Sequence, residues 1–345
     1  MDIKYLIAST ITALTFNAYA ATSYNEVVVF GDSLSDVGNL HLMNFPGGPA
    51  EGQTYGPRFS NGPLIAEYVA SKVLDIDVDQ QPLLPSLHLV SNITGNNFAV
   101  AGAKSLDDDG SPLTPDINLP TQINAYLQHT QSSADKDALY FMSIGGNDVR
   151  SARDLITSKD GNQPFFSRKL SAYTYTYNSA VSASNSLELL LKSGAKDIVV
   201  LGVPNISMTP ENTLITDQLI YNANNFWEQL SAMAIPRVVG NLSKFYQGAI
   251  NSSIEQLEND YPSANIHYVD LMSIVDTVNQ DIESYSFTDT THACNYLLST
   301  SPVGQPTSEC LVTSEYLYFD ELHPTTAANM IVADKILAML ESKAK

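Results

Sequence analysis

The feature that most restricts what this chain can become is a run near its start, Glu26-Val27-Val28-Val29-Phe30-Gly31-Asp32-Ser33-Leu34-Ser35-Asp36. The apolar, largely β-branched residues before Gly31 predict a strand buried on both faces, and Gly31 turns the chain so that Asp32 and Ser33 are presented. Strands of that kind belong to sheets covered by helices on both sides, which leave only the strand carboxyl ends open to a ligand. Ser33 is therefore the first candidate nucleophile. A serine hydroxyl is weak alone, so the chain must supply a base and an orienting carboxylate from elsewhere.

Asp320-Glu321-Leu322-His323-Pro324, far along the chain, offers both. Pro324 favours a helix starting directly after the imidazole, with Met330, Ala333, Leu337 and Leu340 on its buried face. Asp32 and Asp36 compete with Asp320 as the carboxylate, but their closeness to Ser33 in sequence suits them better to holding the turn through Asx hydrogen bonds. Further strands are expected at 97–103, 138–144, 197–201 and 265–269, and helices at 64–74, 117–128, 169–192, 212–234 and 236–258. This alternation predicts an α/β fold, a three-layer α/β/α sandwich around a central, mostly parallel five-stranded sheet. Gly102 and Asn147 stand where the strands at 97–103 and 138–144 open into glycine turns. The stretch 287–318 shows no periodicity, and irregular segments of that length usually serve function.

The first residues read as a leader. Lys4 precedes a largely apolar stretch, and Ala18-Tyr19-Ala20 has the small-x-small pattern of a cleavage site, so residues 1–20 are expected to be a signal peptide and 21–345 a single domain of an exported protein, periplasmic or extracellular. The formal charge is −20, and losing Asp2 and Lys4 leaves it unchanged. Such a balance opposes binding to nucleic acid and gives no attraction to anionic headgroups. Neutral or zwitterionic substrates fit, although acidity also serves simple solubility. The two cysteines, Cys294 and Cys310, suggest one disulfide in an exported chain, with two free thiols as the alternative. The Ser/Thr/Pro/Gly-rich segment between them would form a stapled loop. His41, His88, His129 and His267 lack any motif and read as structural or surface residues. His292 has too few thiol and imidazole partners nearby for a metal site, and Leu106-Asp107-Asp108-Asp109-Gly110 lacks EF-hand spacing and reads as a solvated loop. No metal or cofactor is implied.

Three pieces taken together, Gly31-Asp32-Ser33-Leu34-Ser35-Asp36, Gly145-Gly146-Asn147-Asp148 and Asp320-Glu321-Leu322-His323-Pro324, resemble the GDSL lipase/esterase family of the SGNH hydrolase superfamily. Within it the chain resembles secreted bacterial lysophospholipases A and glycerophospholipid:cholesterol acyltransferases. Arg58-Phe59-Ser60-Asn61-Gly62-Pro63 is similar to a further segment of the family. The resemblance implies a Ser33–His323–Asp320 triad and an oxyanion hole made by the N–H groups of Ser33 and Gly102 and the Asn147 amide. It implies a lysophospholipid or phospholipid substrate, with a sterol or other alcohol as an optional acyl acceptor and transient contact with a membrane surface. Leu34, Val37, Leu40, Leu42, Met43 and Phe45 would line an acyl groove, unless Leu34 and Val37 belong to the core. The loop 294–310 would act as a lid, as a segment nicked by an activating protease, or merely as a staple. Competing readings are a carbohydrate or short-chain esterase of the same fold, and a secreted binding protein without turnover.

Overall fold

The computed structural model describes residues 24–43, 54–106, 116–158, 163–294 and 315–343. The expected leader, the acidic loop from Asp107 to Gly110, Phe45 and Cys310 lie outside the described residues. So does the pairing expected for Cys294.

Four strands form one parallel ladder: β1 (Val27–Gly31), β2 (Leu139–Ser143), β3 (Asp197–Leu201) and β4 (Asn265–Val269), in that order. Their registers end level, with Gly31 beside Ser143, Ser143 beside Leu201 and Leu201 beside Val269. The expected fifth strand at 97–103 is not a ladder strand. It meets β1 through a single parallel bridge, Val29 to Asn97, and through the N–H groups of Phe98 and Val100, which donate to Val29 and Gly31 at 2.7 and 3.1 Å. The ladder stops there because the Gly31 N–H, which would continue it to the Phe98 carbonyl, donates instead to the Gln122 side chain at 2.8 Å. Asn97 holds the segment locally, its Oδ1 accepting the N–H of Ala99 and its Nδ2 donating to the Ser35 carbonyl. The topology is nonetheless that of an open α/β sheet. The chain leaves β1 to one side, at 96–100, and then crosses to the other side at β2, which makes the end of β1 a switch point.

The side chains of each strand alternate between two cores. Val28, Phe30, Tyr140, Met142, Ile198 and Val200 face α3 (Leu119–His129), α4 (Gly146–Thr157), α5 (Phe165–Lys192) and α7 (Phe226–Asp260). Val27, Val29, Leu139, Phe141, Val199 and Leu201 face α2 (Ile65–Leu74) and α9 (Thr326–Lys343). Short α1 (Asn39–Leu42) follows the nucleophile turn, α6 (Pro210–Tyr221) precedes α7, and α8 (Leu271–Gln280) follows β4.

Three details differ from expectation. The break expected before Pro236 falls at 222–225, and α7 runs unbroken through the proline. Asn225 explains this: its Oδ1 accepts the Glu228 N–H at 3.0 Å while the Glu228 carboxylate accepts the Asn224 N–H at 2.8 Å, a reciprocal cap that fixes the helix start. Second, α9 begins at Thr326 rather than directly after His323, because the Asn61 Oδ1 accepts the Thr326 N–H at 2.8 Å while Pro324 is bridged to Tyr318. Of the expected buried face, Ala333 and Leu340 are buried and Leu337 packs against the same core, with Ala328, Val332 and Ile336 beside them, whereas Met330 is exposed. Third, the ends of the aperiodic stretch pair as a small parallel sheet, β5 (Asp289–Ala293) with β6 (Tyr316–Tyr318). Polar β5 has no alternation to read. Phe287, Leu317 and Tyr318 supply the apolar contacts that hold the pair.

Candidate active site

Gly31 ends β1 with φ of +153°, and a Cβ there would stand 2.2 Å from the Ser143 carbonyl oxygen. Only glycine fits. The turn it permits is then fixed by two aspartates: Asp32 Oδ1 accepts the Leu34 N–H, while Asp36 accepts the N–H groups of Gly38, Asn39, Leu40 and Ala101 at 2.7 to 3.1 Å. Both carboxylates therefore hold backbone, and neither takes the place of Asp320. Burial raises the Asp36 carboxyl despite these bonds, and it pushes Asp32 up to about 7, against the opposing pull of the Leu34 N–H, His323 and Arg150.

Ser33 Oγ lies 2.7 Å from His323 Nε2, and His323 Nδ1 lies 2.6 Å from Asp320 Oδ2. Asp320 Oδ1 also accepts the N–H groups of Leu322 and His323, and the Phe319 N–H donates to the His323 carbonyl at 2.8 Å. One carboxylate thus shapes the loop and orients the ring. Because Asp320 only accepts, the Nδ1 carries the proton and Nε2 is left to receive the one from Ser33. All three residues are buried, Asp320 completely.

The Arg58-Phe59-Ser60-Asn61-Gly62-Pro63 segment clamps the histidine loop from the other side. The Phe59 ring packs on the imidazole with centroids 4.9 Å apart, Ser60 Oγ donates to the Pro324 carbonyl, and Thr326 Oγ1 donates to the Pro63 carbonyl. Arg58 is anchored in turn by a bidentate bond to buried Glu67 at 2.6 and 2.7 Å.

The three expected oxyanion donors are stitched to the same turn. Ala101 N–H reaches Asp36, Ala103 N–H reaches the Val100 carbonyl, and Asn147 Nδ2 donates to the Ala103 carbonyl at 3.0 Å. That leaves one amide hydrogen of Asn147 free for another acceptor. The backbone N–H groups of Ser33 and Gly102 donate to no acceptor among the described residues. Gly102, with φ of +88°, adopts the left-handed conformation that suits glycine.

Sequence reasoning missed what orients Asn147. Arg150, one turn along α4, donates from Nη1 to Asn147 Oδ1 at 2.9 Å and grips the Glu211 carboxylate with Nε and Nη2. Arg153 adds a bond to Glu211 at 2.7 Å. Burial would raise the Glu211 carboxyl, but the two guanidiniums outweigh it and hold it at about 2. The Glu211 N–H also donates to the Glu321 carbonyl at 2.8 Å, beside the triad. The i, i+3 spacing of Asn147 and Arg150 on a helix was a usable signal. Nothing in the sequence pointed to Glu211. Gln122 was missed too: its amide accepts from the Gly31 N–H and donates to the Gly31 carbonyl, both at 2.8 Å.

The acyl groove expected from residues after Ser33 is not built as a group. Val37 is buried in the core and Leu42 is exposed, whereas Leu34 lines an apolar cavity with Ile274, Val275, Leu317, Leu322 and Ile331. Among the described residues no group of His, Cys, Asp and Glu could hold a metal ion. His292 instead bonds Asp289 at 2.8 Å.

An open parallel sheet with a hydroxyl, an imidazole and a carboxylate linked at its switch point has the geometry of the serine hydrolases. The sequence profile of the GDSL-like lipase/acylhydrolase family matches residues 27–336, and the chain belongs to that family. A GDSL esterase/lipase of Arabidopsis thaliana is 27% identical over 333 residues, covering 90% of this chain and 86% of the relative. Acetylajmalan esterase 2 of Rauvolfia serpentina is 25% identical over 352 residues, covering 91% and 90%. An extracellular lipase from Streptomyces rimosus superposes with a TM-score of 0.40 at 16% identity, covering 91% of this chain and 98% of the lipase. The protein is a carboxylic ester hydrolase of the α/β class.

Proposed function

We propose that the protein hydrolyses acyl esters of lysophospholipids or phospholipids through an acyl-enzyme on Ser33. The observation that carries this is the unbroken hydrogen-bond chain from Ser33 through His323 to Asp320. Ser33 Oγ attacks the ester carbonyl while His323 Nε2 takes its proton, and Asp320 stabilises the imidazolium that forms. The N–H groups of Ser33 and Gly102 and the spare Asn147 hydrogen receive the oxyanion. His323 then protonates the leaving alcohol. Water, entering by the same base catalysis, releases the fatty acid; a sterol hydroxyl taking its place would give acyl transfer. The intact chain of groups argues against a binding protein without turnover.

The lipid assignment rests on the resemblance to secreted bacterial phospholipases and on an acidic surface suited to neutral or zwitterionic headgroups. In this reading the leader 1–20 is removed on export, and the loop 294–310 acts as a lid or as a site for an activating protease. Loss of fatty-acid release from lysophosphatidylcholine and phosphatidylcholine in Ser33→Ala, with folding retained, is the expected outcome, and cholesterol added to the wild type tests for sterol ester. Turnover that survives in Ser33→Ala would overturn the mechanism.

A second reading, hydrolysis of short-chain or carbohydrate esters, draws on the likeness to acetylajmalan esterase 2 of Rauvolfia serpentina. Acetate release from acetylated sugar, compared with fatty-acid release from lysophosphatidylcholine, separates the two.

A further inference from the structure

The helical hairpin formed by α6 and α7 stands beyond the active site, on the same side of the sheet. α6 begins at the site, where Glu211 holds both Arg150 and the Glu321 carbonyl, and its 12 residues extend for about 18 Å. The 35 residues of α7 then return past the site to the far edge of the sheet before β4, a length of about 52 Å. A strand of five residues spans only about 17 Å. Ser243 marks where α7 passes the carboxyl edge, because its Oγ accepts the N–H of Ile206 just after β3. Trp227 therefore lies about 24 Å further along the helix. α5 overshoots in the same way. Its Ser182 donates to the Ser105 carbonyl beside the site, and Phe166 is about 24 Å nearer its free end.

These projecting ends carry apolar side chains that the core does not use. On α7, Phe226, Leu230 and Met233 recur at i, i+4 and i+7 and are exposed with Trp227, while Ala232, Ile235 and Val239 face inward. Trp227 is 72% exposed, Phe226 67% and Phe166 on α5 75%. Tryptophan, phenylalanine and tyrosine side chains of this kind are enriched where protein meets the boundary of a lipid layer. The charge around them selects among lipids. Residues 210–235 contain Glu211, Asp217 and Glu228 and no lysine or arginine; of the two cations beside Phe166 on α5, Arg168 donates to the Ile156 and Ser158 carbonyls and Lys169 lies over the Tyr173 ring, so the surface presents no basic cluster to anionic headgroups.

We propose that the tip of the α6–α7 hairpin docks the enzyme on a zwitterionic lipid surface, holding the mouth of the active site toward the layer that supplies its ester. This rests on the lipid reading above. The test uses the fact that Trp227 is the sole tryptophan of the chain. The mature protein carrying Ser33→Ala, so that lipid is not consumed, is titrated with phosphatidylcholine vesicles. We expect a blue shift of Trp227 emission, quenching by brominated acyl chains, and no gain from added phosphatidylglycerol. Phe226→Ser with Met233→Ser should weaken partition at least about tenfold. In the otherwise wild-type enzyme the same pair should lower turnover on vesicles and leave turnover of soluble p-nitrophenyl acetate unchanged.

No emission change at millimolar lipid, or equal partition of the double variant, would overturn the inference. So would binding that requires phosphatidylglycerol. A dimer in sedimentation, already blue-shifted without lipid and dissolved by the double variant, would assign the surface to a second copy instead. Vesicle binding without fatty-acid release by the wild type would leave the docking surface standing and sink the lipid reading.

Discussion

Arg150→Met isolates one element of the site, the charged donor behind Asn147. Methionine replaces the aliphatic stem and removes the guanidinium, whose Nη1 lies 2.9 Å from Asn147 Oδ1. A charge-assisted hydrogen bond of this kind is worth about 1.5–3 kcal/mol. The full contribution of an oxyanion donor, on the order of 10²–10³ in turnover, sets the ceiling. Arg150→Met should fall short of it, because Ala103 still accepts from Asn147 Nδ2 and keeps the amide from turning over. What is lost is polarisation of the amide and stiffness of its seat. We expect kcat on a soluble ester to fall about 10- to 30-fold with KM changed by less than about a factor of two, the signature of an interaction made in the transition state. The fold should persist because Arg153 still neutralises Glu211. Steady-state kinetics beside Asn147→Ala, with thermal unfolding of each variant, give the comparison. A kcat within twofold of wild type for Arg150→Met, while Asn147→Ala loses a hundredfold, would refute the positioning role.

Three further outcomes are expected. Asp32→Asn should stabilise the protein at pH 8 and have little effect at pH 4. The folded carboxyl is raised from 3.8 to about 7 by burial, so the native aspartate loses stability as pH climbs between those values; urea unfolding of both proteins across that range checks the sign. Glu67→Gln should cost about 3 kcal/mol in chemical denaturation, because Arg58 would keep a buried charge without its counter-ion. Gly31→Ala should abolish activity and most soluble protein, since the clash is with backbone oxygen of β2 and not with a movable side chain; a folded, active variant by circular dichroism and esterase assay would contradict the geometry.

Sequence legibility followed the physics of each signal. β1 to β3 are readable because apolar runs closed by a glycine turn have few other solutions, and β4 because Ile266, Tyr268 and Val269 are strand-forming residues in a short run after a long helix. The segment at 97–103 promises a strand for the same reason, and only the bond from the Gly31 N–H to the distant Gln122 side chain shows why its pairing stops at a bridge. The α6–α7 boundary carried a visible signal, the Asn225-to-Glu228 cap, which the more conspicuous Pro236 obscured. At the site, Ser33, Asp320 and His323 stood in recognisable strings, and the structure brings them within hydrogen-bond distance. Glu211 was invisible because its role depends on two arginines and a carbonyl from remote segments, and no local pattern encodes that convergence.

The reacting hydroxyl and imidazole are separated by 290 positions along the chain. A polypeptide emerging from its N-terminus therefore carries an unarmed serine for most of its synthesis, and gains an esterase only when α9 and the loop before it settle against the Arg58–Pro63 clamp. Catalytic power in this molecule is a late event of assembly.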